Sequence, residues 1–128
     1  MQSKGSTPPG LQGRNHGFTL LEILVVIAIL GILSAVAIQQ YSAYRSRSID
    51  TQMKADLKNA ALAMESYFSE YHVYPNSLSK ITSVGFRQTE GVALMITVVS
   101  PSAYTLMASK PNGSQASFTY SSMTGQIN

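Results

Sequence analysis

The sequence predicts an α+β chain in which one long N-terminal helix packs on a small antiparallel sheet. Three observations carry that prediction. A 21-residue run, Phe18 to Ile38, holds a single charge. Apolar residues then recur at helical spacing, without glycine or proline, as far as Tyr71. Beyond Pro75 the pattern changes to short β-rich runs separated by turn residues.

Composition sets the outer bounds. A chain of 128 residues suits one domain, with little room for a second core. Charged residues make up 12% and hydrophobic residues 45%, which argues against an ordinary fully soluble domain. Of the nine Lys/Arg, Lys4 and Arg14 precede Gly17, which leaves seven against six Asp/Glu. No basic cluster remains to argue for nucleic acid. There is no cysteine, hence no disulfide framework, thiol nucleophile or thiolate metal site.

Residues 1–17 read as a polar leader. Ser3, Gly5, Ser6, Pro8, Pro9, Gly10, Gly13 and Asn15 are breakers without periodicity. A secretory signal places its small-residue cut after the apolar region, whereas here the small residue, Gly17, comes before it. Two readings follow: a cytoplasmic tail on a signal anchor, or a leader cut on the near side of the membrane.

The run from Phe18 to Ile38 is long enough to span a bilayer, which takes about 20 apolar residues. Its fourteen Leu, Ile, Val and Phe residues supply on the order of −4 to −8 kcal/mol for insertion. A carboxylate opposes this by roughly 3 kcal/mol at mid-membrane and by less near an end. Insertion wins. Orientation stays open, because Lys4 and Arg14 face Arg45, Arg47 and Lys54 across the span.

That carboxylate is Glu22. It either snorkels to the interface or is kept for a partner, and a cut before Phe18 would create an amine one helical turn away or on a neighbouring copy. Gly31 and Ala35, four apart, form a small-xxx-small pair compatible with helix association.

Past the span, Ile49, Met53, Leu57, Ala60, Met64, Phe68 and Tyr71 make an amphipathic stripe. Lys54, Asp56, Lys58, Asn59 and Glu65 are expected on the wet face. Seven of the eleven aromatics, Phe18, Tyr41, Tyr44, Tyr67, Phe68, Tyr71 and Tyr74, lie on or next to the helix; packing at a helix–sheet interface is the expected role, and a stacked path between subunits the alternative. The stripe needs a cover, and the remaining chain supplies one. Val92–Val99, Ala103–Ser109 and Ala116–Ser122 read as strands, with turns at Ser100-Pro101-Ser102 and Pro111-Asn112-Gly113. Ser83–Gln88 reads as a short edge strand.

No catalytic constellation accompanies these elements. His16 stands in the leader and His72 in a turn, with no acidic cluster beside either. No Asp or Glu follows Glu90, so the C-terminal region has no carboxylates for calcium. Neither a phosphate loop nor a nucleophile elbow is present.

Gly17-Phe18-Thr19-Leu20-Leu21-Glu22, followed by Ile23 to Leu33, resembles the class III signal region of bacterial type IV pilins and pseudopilins. The likeness is strong over residues 17–74 and looser beyond. The resemblance implies a pilin fold in three parts. Residues 1–17 would be a cleaved leader, and 18–40 the transmembrane and assembly half of the helix. Residues 41–128 would form a periplasmic globular domain, with helix 41–73 and a sheet over about 83–128.

It also implies site roles. A prepilin peptidase would cut after Gly17 and N-methylate Phe18. Glu22 would support methylation and meet the Phe18 amine of a neighbouring subunit during assembly. The precursor would sit in the inner membrane with its N-terminus cytoplasmic, and the assembled homopolymer would be an extracellular fibre. Implied partners are further copies, the peptidase, and an assembly platform with its motor complex; neither enzyme activity nor a cofactor is implied. The expected function is therefore a structural subunit of a type IV pilus. The alternative is a pseudopilin of a type II secretion system, or a minor pilin, with a monomeric signal-anchored binding module as a further class. Gln39 stands where many members of the family carry a proline, so the residue that would kink the helix is missing.

Overall fold

The computed structural model describes residues 1–5, 10 and 17–128. The leader positions Ser6, Pro8, Pro9, Gly13, Arg14, Asn15 and His16 lie outside the described residues. The chain divides into two units, Met1–Val36 and Ala37–Asn128.

Helix α1 runs from Leu20 to Tyr71, 52 residues, and its hydrogen-bonding pattern continues through Gln39. No helix breaker interrupts it. It ends where His72 turns into the left-handed region (φ 55°) and donates its N–H to the Phe68 carbonyl at 2.8 Å. Pro75, fully buried, fixes the exit. In the first unit all large apolar side chains of α1 are exposed.

In the second unit α1 carries the predicted stripe. Ile49, Met53, Leu57, Ala60 and Met64 are buried, while Phe68 is half-buried. Tyr71 departs from the expectation: it is exposed and stacks on Tyr67 with ring centroids 4.4 Å apart. The cover is a four-stranded antiparallel sheet in the order β1-β2-β3-β4. Its strands are β1 Ala93–Ser100, β2 Ala103–Ser109, β3 Ser117–Ser121 and β4 Gln126–Ile127.

Register puts one row of apolar residues on the inner face. Leu94 pairs with Ala108, Ile96 with Leu106, Leu106 with Tyr120, Ala108 with Phe118, and Tyr120 with Ile127. These residues join the α1 stripe in a single core cluster. The alternate positions Ala93, Met95 and Thr97 face solvent, as a one-sided antiparallel sheet requires. The loosening at the end of β1 is a register shift between Val98 and Ser100, which leaves Val99 exposed.

The edge strand expected over Ser83–Gln88 is not there. Helix α2, Leu78–Ser83, occupies the start of that segment, and a helix cap follows it. Gly85 adopts φ 100° and donates to the Thr82 carbonyl at 3.1 Å, and the Phe86 N–H reaches the Ile81 carbonyl at 3.1 Å. This is a Schellman motif, completed by the apolar pair Ile81 and Phe86, both buried. The Val84/Phe86 alternation imitated a strand; Gly85 between them made the turn. Strand β4, which had no counterpart in the sequence reading, is only two residues long and closes back on β3 after Gly125 (φ 68°).

Candidate functional site

The candidate site is the N-terminal start of α1. Gly17, Phe18 and Thr19 precede the helix. Thr19 is its N-cap: the Thr19 carbonyl accepts the Ile23 N–H at 3.3 Å, and Thr19 Oγ1 accepts the Glu22 N–H at 3.2 Å. Glu22 Oε2 reaches back to accept the Thr19 N–H at 2.8 Å and the Thr19 hydroxyl at 3.1 Å. The pattern is a reciprocal capping box, which satisfies helix-end donors that would otherwise be orphaned. The carboxylate also sits at the positive end of the helix dipole.

This capping role for Glu22 is not among the sequence expectations, which give it an interfacial position or an amine partner one turn away or on a neighbouring copy. The signal was present as Thr-x-x-Glu ahead of an apolar run. The box leaves room for more, since an ionised carboxylate has about four acceptor positions. Phe18 is 85% exposed and, with Leu21, Glu22, Ile23, Val25 and Val26, lines a shallow apolar recess. Residue 18 and the acid therefore share one surface. Gly17 is exposed as well, and a Cβ added there would meet nothing within 4 Å among the described residues. Gly17 and Phe18, both exposed, stand just ahead of the cap.

From this start the helix is apolar all round. Its most apolar 18-residue window has a mean hydropathy of 2.8 and 0% of it is buried within the chain. A contiguous apolar surface of this size is unfavourable in water and requires a cover of lipid or of other chains. Gly31 and Ala35 lie on it, and a Cβ at Gly31 would meet nothing within 4 Å among the described residues.

The second unit uses its polar residues to hold itself together. Asp56, expected on the wet face, is 2% exposed: its carboxylate accepts the Thr89 N–H at 2.9 Å and the Thr89 hydroxyl at 2.6 Å. Six residues earlier, Asp50 is buried too. It accepts the Ser114 N–H at 2.8 Å and also bonds the Ser114 hydroxyl, which holds its carboxyl below the usual range. Gly113 is required beside it, because a Cβ there would stand 2.8 Å from Asp50 Oδ1. So α1 ties down two loops, one before β1 and one between β2 and β3, with one carboxylate each. Lys110 joins the same region, donating to Gln52 at 2.8 Å and to the Glu90 carbonyl at 2.7 Å.

A row of aromatic rings runs from the end of α1 into the sheet. Phe68, Tyr74, Tyr104 and Tyr120 follow one another with centroid separations of 4.5, 4.7 and 6.2 Å. Tyr74 and Tyr104 both donate to Glu65, at 3.2 and 3.0 Å, and burial pushes the Tyr104 phenol far above its ordinary value. Phe18, Tyr41 and Tyr44 are exposed and take no part in that interface. His72 is also exposed and lies edge-on to Phe68. Among the described residues no group of three His, Cys, Asp or Glu could hold a metal.

A family profile described as "Prokaryotic N-terminal methylation motif" matches residues 12–38. The "Type IV major pilin protein PilA" of Myxococcus xanthus is 40% identical over 78 residues, 61% of this chain and 34% of its own length. The chain therefore spans about a third of that relative. The "Type IV wide pilus major component PilA4" of Thermus thermophilus is 36% identical over 98 residues, covering 76% of this chain and 75% of its own. The "Type II secretion system core protein G" of Pseudomonas aeruginosa is 39% identical over 64 residues, 50% of this chain and 45% of its own. The 98-residue alignment extends far past the N-terminal motif and takes in three quarters of its relative. On that extent of likeness, the chain belongs to the type IV pilin family.

Proposed function

We propose that this chain is a structural subunit of a type IV pilus. In this reading residues 1–17 are a leader that a prepilin peptidase removes by cutting after Gly17, and Phe18 is N-methylated. Residues 18–40 hold the precursor in the inner membrane, with the N-terminus cytoplasmic and residues 41–128 periplasmic. The same apolar helix then leaves lipid for a bundle of identical helices, and the fibre stands at the cell surface.

One observation carries this reading: an apolar run, exposed along its whole length, opens on a carboxylate. Exchanging lipid for equally apolar neighbours changes little hydrophobic energy, so close packing at small residues such as Gly31 and charge pairing decide the outcome. Glu22 is the charge available. Its cap to Thr19 leaves acceptor positions for the Phe18 amine of an adjoining subunit, and that pairing would set axial register. An assembly platform and motor complex supply the work of extraction.

The secretion-system alternative draws less support, since its relative matches over 64 residues against 98 for the wide-pilus component. The test is to shear filaments from the cell surface and identify their repeating subunit by mass spectrometry. This chain should dominate them, and a strain lacking it should be bald. Filaments that persist unchanged in that strain would refute the reading.

A further inference from the structure

Just after the apolar run, α1 carries a set of side chains that the filament reading does not use. Tyr41, Tyr44, Arg45 and Arg47 are all exposed. Tyr41 and Arg45 are four apart, Tyr41 and Tyr44 three, Tyr44 and Arg47 three. On a helix those spacings set the side chains around one side in the order Arg45, Tyr41, Tyr44, Arg47. The two tyrosines lie in the middle and an arginine flanks each end. Gln40, Tyr41, Ala43, Tyr44 and Arg47 line a shallow groove there. The stripe buried against the sheet, Ile49, Met53 and Leu57, occupies other positions of the helix.

The charge balance around this collar is one-sided. No Asp or Glu occurs between Glu22 and Asp50. Asp50 and Asp56 are buried and taken up by Ser114 and Thr89. The exposed charges of α1 from residue 41 to residue 58 are thus Arg45, Arg47, Lys54 and Lys58, all positive. Nothing on the helix answers Arg45 and Arg47, which follow the last apolar residue of the run, Ile38, by seven and nine positions.

We propose that Tyr41, Tyr44, Arg45 and Arg47 form a binding collar for the headgroup of an anionic phospholipid. The chemistry fits that ligand. Tyrosines at the end of an apolar span settle at headgroup level, with the ring in the apolar layer and the hydroxyl in the polar one. An arginine beside each tyrosine presents a planar fork to a phosphate, which it binds in bidentate fashion. A zwitterionic lipid would gain less, because its own cation competes. This inference rests on the membrane-held precursor of the proposed function.

The test uses the full chain in nanodiscs of phosphatidylcholine with a minority of phosphatidylglycerol. Native mass spectrometry then reads which lipids stay with the released protein. Phosphatidylglycerol should be enriched, and Arg45→Gln/Arg47→Gln should lower the enrichment by roughly 25-fold, at about fivefold per arginine. Lys54→Gln/Lys58→Gln should leave it nearly unchanged. Equal losses in the two double variants would overturn the collar in favour of plain net charge. Enrichment that survives Arg45→Gln/Arg47→Gln would overturn it outright. So would a single-stranded oligonucleotide that binds through the two arginines while lipid enrichment is absent, which would reassign the patch to nucleic acid. A chain that never enters the nanodisc sinks the membrane reading itself, whereas one that enters without selecting lipid sinks the collar alone.

Discussion

At the scale of single residues, three carboxylates of α1 do two kinds of work: Asp50 and Asp56 each fasten a loop, and Glu22 caps the helix start. Asp56 is buried against Thr89, so Asp56→Ala removes the acceptor of a half-buried N–H and hydroxyl. The expected loss is about 2 kcal/mol, or a melting temperature roughly 10 °C lower for a domain of this size, read by thermal unfolding. Asp50 sets a pH dependence. Its folded carboxyl lies below its ordinary value of 3.8, chiefly through the Ser114 hydroxyl. The stabilisation is complete above that value and fades as pH falls through the lower folded one. Melting temperatures at neutral and strongly acid pH should therefore differ more for the natural chain than for Asp50→Asn. Glu22 combines a cap with a free charge, and Glu22→Gln separates them, since glutamine keeps the capping box. Filament yield should drop about tenfold or more if the charge pairs with an amine worth at least 1.4 kcal/mol. Thr19→Ala, which costs about 1 kcal/mol of capping, should be milder. Normal yield from Glu22→Gln would remove the pairing role and leave the cap.

At the scale of elements, the sequence made some features plain and hid others for physical reasons. Apolar periodicity is a repeated signal, so α1 from residue 20 to 71 and the strands at Ala93 and Ala103 were legible to within a residue or two. Asp56 was misplaced because the hydropathy of an aspartate predicts water; only the Thr89 loop, 33 residues away, explains its burial. Ser83–Gln88 was misread because two apolar residues flanking Gly85 fit a strand as well as a helix cap. The capping box at Thr19 is legible in Thr-x-x-Glu, whereas the Asp50–Ser114 contact is not, since 64 residues separate its partners. The stripe itself gives a clean test. Leu57 is fully buried, and Leu57→Ala should cost about 2–5 kcal/mol. Leu62 on the same helix is 70% exposed, and Leu62→Ala should stay within about 0.5 kcal/mol. Equal losses measured by chemical denaturation would contradict the one-faced packing of α1.

At the scale of the whole molecule, the chain divides its labour along its length. Residues 37–128 bury their apolar stripe under the sheet and fasten both loops to the helix, so this unit satisfies itself. The large apolar side chains of residues 18–38 stay exposed, a surface suited to a bilayer or to other apolar helices. In the proposed function, a cut after Gly17 is what commits residues 18–38 to one cover or the other. The most direct measurement is the intact mass of the chain recovered from surface filaments, with fragmentation of its N-terminus. The account predicts a chain that starts at Phe18 and carries one added methyl group on its amine. A chain that still begins at Met1, or one recovered only from the membrane and never from filaments, would contradict it.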